Sequence, residues 1–185
     1  QSSNFSGVGL HSGKTSRVKL MPAKENEGII FKRIDLKNNN IIKANFLNVT
    51  SARLCTTLEN TSGAKVSTIE HLLASFYITG IDNVIVELDN QEIPIMDGSS
   101  KDFISIINKA GIKTQNSKRK FLKIVEKVEL EENGRTLSIE PNDNHFEVNF
   151  QLDYSNKLIG KQKNSVNFSE KNLENIYSSR TFCLF

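Results

Sequence analysis

The order of the predicted elements constrains the fold most, because strand-like segments precede helix-like segments and the same order then begins again. In the first half, alternating apolar and polar residues predict strands at 15–21, 28–34, 41–50, 53–59 and 83–88. In the second half, similar runs predict strands at 121–130, 135–140 and 145–154 and a helix at 169–177. Because strands are followed by helices in both halves, the element order predicts an α+β fold of tandem, related domains.

A polar segment separates the two halves. Ser117, Lys118, Arg119 and Lys120 lie between a predicted helix and a new predicted strand. We therefore expect a first domain at 1–116 and the start of a second at 117–185. The second half has many strands and one short helix, which would leave a sheet face uncovered, so we expect the second domain to be incomplete.

The helix predicted at 68–79 has the clearest pattern in the chain. Ser67 precedes Glu70 by the three residues of a capping box, and Gly80 can end the helix. A second helix is predicted near 101–110, ending at Gly111. The apolar residues of the first helix recur on one face, which we expect to be buried: Ile69, Leu72, Leu73, Phe76 and Tyr77.

Composition excludes several classes of protein. The 24 basic and 21 acidic residues give a net charge of +3, too little for a dedicated nucleic-acid-binding surface. No run approaches the roughly 18 apolar residues that a membrane span needs. Cys55 and Cys183 are too few for a disulfide framework and lack C-x-x-C spacing, which favours a reducing compartment.

The adjacent residues Glu70 and His71 are the clearest candidates for chemistry. A neutral imidazole can ligate zinc while a neighbouring carboxylate takes a proton from water. Equally, Glu70 can be the second half of a capping box and His71 an ordinary surface or core residue. Position 75 is Ser and position 74 is Ala, so this helix offers only one zinc ligand of the roughly three that a catalytic site needs.

The remaining candidates are scattered. His11 lies in a glycine-rich segment at 7–13 that matches no phosphate-binding pattern, so a tight turn opening a strand is favoured. Asp97 is interpreted as stabilising a turn before the second helix, with Ser99 or Ser100 as its cap. His145 falls opposite the apolar side of a predicted strand, so we expect it to be exposed.

Taken together, four segments resemble the UDP-3-O-acyl-N-acetylglucosamine deacetylase family. They read GVGLHSG at 7–13, STIEHLLA at 67–74, GIDN at 80–83 and EIPIMDGS at 92–99. Their joint order and spacing make the resemblance specific, and weaker similarity continues through 149–154 and 180–182. The resemblance implies an α+β fold of tandem two-layer α/β sandwich domains with helices packed between two sheets, and an active site where the domains meet. It also implies zinc-dependent hydrolysis of the 2-acetamido group of the substrate, a step of lipid A biosynthesis.

Residue by residue, the resemblance implies Glu70 as general base, His71 as a Zn2+ ligand and the Thr181 hydroxyl as a donor to the oxyanion. It implies a supporting role near the substrate for His11 and a place lining the substrate cleft for Leu54 and Cys55. The remaining substrate-binding residues that it implies are Tyr154, which offers a flat face to the uridine, and Phe182.

The chain also departs from the family pattern. The family has two further zinc ligands, a His and an Asp four residues apart, and a catalytic His, and none of the three has a counterpart here. Cys183 also replaces the Gly that normally follows Arg-Thr-Phe in the family. We therefore expect an incomplete fragment that binds zinc poorly and is inactive alone. We expect the substrate UDP-3-O-acyl-N-acetylglucosamine as the partner and no binding of nucleic acid. We also expect a cytoplasmic monomer without a transmembrane segment. The alternative is a non-catalytic module of similar fold that binds a nucleotide sugar or RNA.

Overall fold

The computed structural model describes residues 1–143, 145–168 and 173–181 and divides the chain into two compact units. The first unit comprises residues 1–117 together with 177–181, and the second comprises residues 118–176. The α+β class predicted from the sequence is confirmed. Residues 177–181 pack with the first unit, whereas the sequence placed them in the second domain. The tandem sandwich architecture and the incomplete second domain stay predictions.

Within its described residues, the first unit contains two sheets and two complete helices. Its helices are α1 (Glu70–Thr79) and α2 (Lys101–Ala110). Its strands are β1 (Ser3–Val8), β2 (Thr15–Pro22), β3 (Ile29–Arg33), β4 (Ile41–Lys43), β5 (Val49–Ser51), β6 (Thr57–Glu59), β7 (Lys65–Ser67) and β8 (Val84–Leu88).

The larger sheet has the order β1-β2-β8-β3-β4, and all its neighbours are antiparallel except β8 and β3. Alternation in the sequence produces its buried side: Val84, Val86 and Leu88 point inward from β8 while the residues between them are only half-buried. The smaller sheet is antiparallel with the order β5-β6-β7. Both helices contribute to the core that these strands bury, through side chains such as Phe76 and Phe103.

The strands predicted at 41–50 and 53–59 were too long. A 3-10 turn at Phe46–Asn48 divides the first run, because the Asn45 side chain accepts the Leu47 N–H and turns the chain. In the second run only Thr57–Glu59 is a strand. The sequence did not predict β1 or β7 as strands. The side chains of β1 are at most half-buried, and β7 has only three residues.

The helix α1 begins two residues later than predicted, and the capping box is wrong. Ser67 ends β7, and Thr68 follows with a positive φ of 57°, so no side chain caps the helix start. The predicted end is confirmed, because Gly80 adopts the left-handed conformation with φ 74°. Tyr77 was expected to be buried but is 59% exposed, while the buried Ser75 lies on the inner face and donates to the Leu72 carbonyl. The helix at 101–110 and its end at Gly111 are confirmed.

The second unit consists mainly of two antiparallel hairpins. The strands are β9 (Val128–Glu132), β10 (Arg135–Ile139), β11 (Glu147–Asp153) and β12 (Lys161–Asn167), and a short helix, α3 (Glu174–Tyr177), reaches the unit boundary. Of the strand predicted at 121–130, only residues 128–130 belong to a strand, β9. Of the helix predicted at 169–177, positions 169–172 lie outside the described residues. Within the described ranges, no helix is long and apolar enough to cross a membrane.

Candidate active site

Glu70 and His71 occupy the first turn of α1, and both side chains are half-buried. The Thr56 N–H donates to Glu70 Oε2 at 3.1 Å, which holds the loop before β6 against the helix start. The His71 carbonyl accepts the Ser100 hydroxyl at 3.0 Å, which holds the start of α2 against the same turn. These bonds place Glu70 and His71 at a junction of three chain segments.

Leu54 and Cys55 belong to the loop that contacts Glu70. Leu54 has a positive φ of 67° and is 85% exposed, so its side chain faces solvent. Cys55 is half-buried, and its Sγ lies 3.9 Å from the Thr57 hydroxyl. Since Thr56 donates to Glu70, the structure brings Cys55 within one residue of that contact.

Thr181 reaches the same junction from the other end of the chain. Its N–H donates to the Gly98 carbonyl at 2.9 Å, and the Ser100 N–H donates to the Tyr177 carbonyl at 3.0 Å. Ser100 therefore bonds both to residue 177 and to His71. Phe182, the next predicted substrate contact, lies outside the described residues.

Asp97 stabilises the turn before α2, as the sequence predicted. Its Oδ1 accepts the N–H and hydroxyl of Ser99 at 3.0 and 2.6 Å, and its Oδ2 faces Arg180 Nε at 3.3 Å. The hydrogen bond from the Ser99 hydroxyl, supported by Arg180, holds the pKa of Asp97 below its ordinary value. The predicted cap is found in part, because Ser99 Oγ accepts the Lys101 N–H, whereas Ser100 makes no capping bond.

The His11 turn is attached to the site by a residue that the sequence did not single out. His11 itself is exposed, but its N–H donates to Glu92 Oε1 at 2.9 Å. The same oxygen accepts the hydroxyl of Thr68, two residues before Glu70, at 2.9 Å. An acidic residue directly before the apolar run 93–96 is the signal that could have indicated a buried carboxylate.

Glu92 is ionised despite its burial. Burial alone would raise its pKa, but hydrogen bonds from the His11 and Ser12 backbone, the Ser12 side chain and the Thr68 hydroxyl outweigh this effect. The pKa of Glu92 is therefore below its ordinary value. Two backbone N–H groups and two hydroxyls thus stabilise the negative charge.

Two candidates belong to the second unit. Tyr154 follows β11, is 38% exposed and donates its N–H to the Gly160 carbonyl in the hairpin turn. His145 was expected to be exposed, but its side chain is only 24% exposed because it bonds with Glu147 Oε2 at 2.9 Å. The structure therefore unites Glu70, His71, His11, Leu54, Cys55 and Thr181 in one unit and places Tyr154 in the other.

The described part of the chain contains no group of three His, Cys, Asp or Glu side chains able to hold a metal ion. His71 is available as a single imidazole ligand. The residues described here therefore do not fit a complete zinc site, since such sites need about three protein ligands.

A family model described as UDP-3-O-acyl N-acetylglycosamine deacetylase matches residues 1–185. The chain belongs to this deacetylase family. A UDP-3-O-acyl-N-acetylglucosamine deacetylase of Ruthia magnifica subsp. Calyptogena magnifica is 42% identical over 179 residues, which cover 95% of this chain and 58% of the relative. A protein of the same name from Actinobacillus pleuropneumoniae serotype 3 (strain JL03) is 37% identical over 185 residues, covering 98% of this chain and 60% of the relative.

A third deacetylase of this name, from Pseudoalteromonas translucida (strain TAC 125), is 38% identical over 95% of this chain and 59% of its own length. The chain thus spans between 58% and 60% of the length of these deacetylases. Family membership is shown by the match over the whole chain.

Proposed function

We propose that this chain contributes to a zinc-dependent deacetylase that hydrolyses the 2-acetamido group of UDP-3-O-acyl-N-acetylglucosamine in lipid A biosynthesis. The observation that carries the proposal is the junction at the start of α1. There Glu70 and His71 are joined through Ser100 to the segment that carries Thr181. The family match over residues 1–185 and the names of the relatives support this activity and substrate.

In the proposed reaction, Glu70 accepts a proton from the water that attacks the acetamide carbon. One carboxylate oxygen, Oε2, is held by the Thr56 N–H, which orients the carboxyl group for this transfer. The carbonyl oxygen becomes an oxyanion, to which the Thr181 hydroxyl donates a hydrogen bond. The C–N bond then breaks as the proton held by Glu70 passes to the leaving amine nitrogen, and acetate is released.

Zinc, when bound, would supply Lewis-acid activation of the acetamide. His71 is proposed as one of its ligands. The described residues do not complete the zinc site. We expect the 185-residue chain alone to bind zinc weakly and to be inactive, and metal analysis of the purified chain checks this expectation. One tightly held zinc per chain would contradict it.

His11, Leu54, Cys55, Tyr154 and Phe182 are proposed to contact substrate. The first three are supported by their place near Glu70, either through Glu92 or through Thr56. We further propose a monomeric, cytoplasmic enzyme that does not bind nucleic acid. The low net charge of +3 supports the absence of nucleic-acid binding, and the two cysteines, too few for a disulfide framework, support a reducing compartment.

The proposed role of Glu70 is tested in the product of the intact gene by Glu70→Gln, which keeps the shape of the side chain. We expect deacetylation of UDP-3-O-acyl-N-acetylglucosamine to fall by about 100-fold or more, because general-base catalysis contributes roughly 10²- to 10⁴-fold. The matched control is Glu87→Gln, which removes an ion pair with Lys32 in the large sheet. Activity unchanged by Glu70→Gln would exclude Glu70 as the base. If the unmodified product binds the nucleotide sugar without cleaving it, the non-catalytic alternative is favoured.

A further inference from the structure

Glu92 is a buried carboxylate for which the proposed reaction has no use. It is only 1% exposed, and no basic side chain in the described ranges forms an ion pair with it. An unpaired buried charge is costly unless hydrogen bonds replace its hydration. Its donors therefore determine where it can lie.

These donors come from two separate segments of the chain. Oε1 accepts the His11 N–H and the Thr68 hydroxyl, both at 2.9 Å, and Oε2 accepts the Ser12 N–H at 2.7 Å. Charge-assisted bonds of this kind are roughly twice as strong as neutral ones. One carboxylate thus joins the turn that carries His11 to the residue two positions before Glu70.

The backbone of Glu92 is fixed next to the same helix start. Ser67 and Glu92 form a parallel β-bridge, in which the Ser67 N–H donates to the Gln91 carbonyl at 2.9 Å. The Ile93 N–H donates to the Ser67 carbonyl at 3.1 Å. Since both its backbone and its carboxylate are bonded, Glu92 has little freedom to move relative to α1.

The turn is shaped to receive the carboxylate. A Cβ atom added at Gly9 would overlap Glu92 Oε2 and lie 2.5 Å from Ser12 Oγ, closer than Cβ atoms come to other atoms in proteins. The turn is closed by bonds from the Gly9 N–H to the Lys14 carbonyl and from the Gly13 N–H to the Gly9 carbonyl. The glycine at position 9 is therefore needed for the close approach of the carboxylate.

Thr68 shows that this attachment constrains the helix start. It is buried and has a φ of 57°, a conformation unfavourable for a β-branched residue. Such strain persists where surrounding contacts over-determine the backbone. Here the Thr68 hydroxyl bonds to Glu92, and the strained residue directs the chain into α1.

We propose that Glu92 is a positioning residue that fixes the His11 turn relative to Glu70 and His71. The catalytic part of this proposal rests on the proposed function. The structural part does not, since the bonds hold the turn whether or not the chain is an enzyme. Glu92 touches no reacting group. It acts by holding the His11 backbone N–H and the Thr68 hydroxyl on one carboxylate.

The test variant is Glu92→Gln, which keeps the size of the side chain but turns one acceptor into a donor facing an N–H group. In NMR spectra of the 185-residue chain, we expect the amide signals of His11 and Ser12 to move upfield on loss of the charge. We expect the perturbation to extend to Thr68, Glu70 and His71. The matched control is Glu25→Gln, which removes a carboxylate that accepts the Asn116 N–H and the Ser117 hydroxyl, and it should leave these signals unchanged.

A second variant keeps the test valid if Glu92→Gln does not fold. Thr68→Val removes only the bond from residue 68, so the signals of Glu70 and His71 should move while the His11 N–H keeps its bond to Glu92. If neither variant perturbs residues 70 and 71, the attachment does not reach the helix start and the proposal is wrong.

The catalytic arm uses the product of the intact gene. We expect Glu92→Gln to lower kcat by roughly ten- to a hundred-fold with little change in KM, because small misplacements of site groups have effects of this size. The double variant of Glu92→Gln and His11→Ala should lose no more kcat than the more damaging of the two single variants. Fully additive losses would contradict the proposal. An inactive unmodified product would count against the proposed function, while the NMR result would still decide the role of Glu92.

Discussion

At the scale of single residues, the site depends on close approaches that allow no extra atom. Gly9 adjoins the Glu92 carboxylate, and Gly7 lies so near Pro94 that an added Cβ would be 3.0 Å from the proline Cβ. Both glycines belong to β1 and the turn after it. The glycine-rich segment is therefore explained by packing against the chain that follows β8, and a bound phosphate is not needed to account for it.

Gly9→Ala is expected to destabilise the chain by about 1–3 kcal/mol, the usual cost of overpacking. Its matched control is Gly13→Ala, where no atom lies within 4 Å of the added methyl group but φ is 64°. Urea unfolding in a background that carries both Ser12→Ala and Glu92→Ala separates this overlap from the effect of a positive φ. There the cost of Gly9→Ala should shrink because both overlapping groups, the Ser12 hydroxyl and the Glu92 carboxylate, are gone, whereas the cost of Gly13→Ala should not change. Equal costs in both backgrounds would contradict the steric explanation.

The ionised state of Glu92 gives stability a definite dependence on pH. Its pKa in the folded chain is below the ordinary value of 4.5, so it stabilises the fold above that value. This contribution is lost as the pH falls through the folded pKa. The urea midpoint should therefore decrease more between neutral pH and about pH 3 for the unmodified chain than for Glu92→Gln. A parallel decline in both proteins would show that another carboxylate is responsible.

At the scale of elements, α1 and α2 are joined at their first turns. The core side chains Leu72 and Phe76 of α1 and Phe103 and Ile107 of α2 belong to one hydrophobic cluster. The Ser100 hydroxyl adds a directional bond from the start of α2 to the His71 carbonyl. Apolar packing holds the helices together, and the hydroxyl specifies how their starts align.

Ser100→Ala is expected to lower the free energy of unfolding by about 1 kcal/mol, since it removes one part-buried hydrogen bond. The matched control is Ser105→Ala on the exposed side of α2, which should change stability by less than about 0.5 kcal/mol. Thermal or urea unfolding measures both. If the two variants are equally stable, the bond between Ser100 and His71 does not align the helices.

At the scale of the whole molecule, the two units differ in how much apolar surface they bury. The hydrophobic cluster around Phe31, Phe76 and Phe103 lies entirely in the first unit. Among the described residues of the second unit, Val166 is the buried apolar side chain. The β9–β10 hairpin pairs Leu130 with Leu137 on a face that remains 61% and 72% exposed at these residues.

This exposed hairpin face is expected to bind a hydrophobic fluorescent dye such as ANS in the folded chain, because large apolar patches bind apolar ligands or partners. Leu130→Lys should reduce the fluorescence markedly. The control is Thr136→Lys, which lies on the other side of the same hairpin, since Thr136 pairs with Glu131. Equal reductions in the two variants would place the dye elsewhere.

Several elements were predictable from local sequence. The strand around Val86 and the helix at 101–110 follow from periodicity, and the end of α1 follows from Gly80. Local reasoning failed where a distant residue competed for the same group. Ser67 had the spacing of a cap, but its backbone bonds to the segment around Glu92 and leaves it in a strand.

The sequence by itself determined the α+β class, the α1 position of Glu70 and His71 and, through its motifs, the deacetylase family. Periodicity and turn residues are local properties, so they can be read along the chain. Only the tertiary structure decided that one buried carboxylate joins residues 11 and 68, and that residues 177–181 return to the first unit. These contacts link residues far apart in sequence, and their stability comes from burial and hydrogen bonding that no local pattern records.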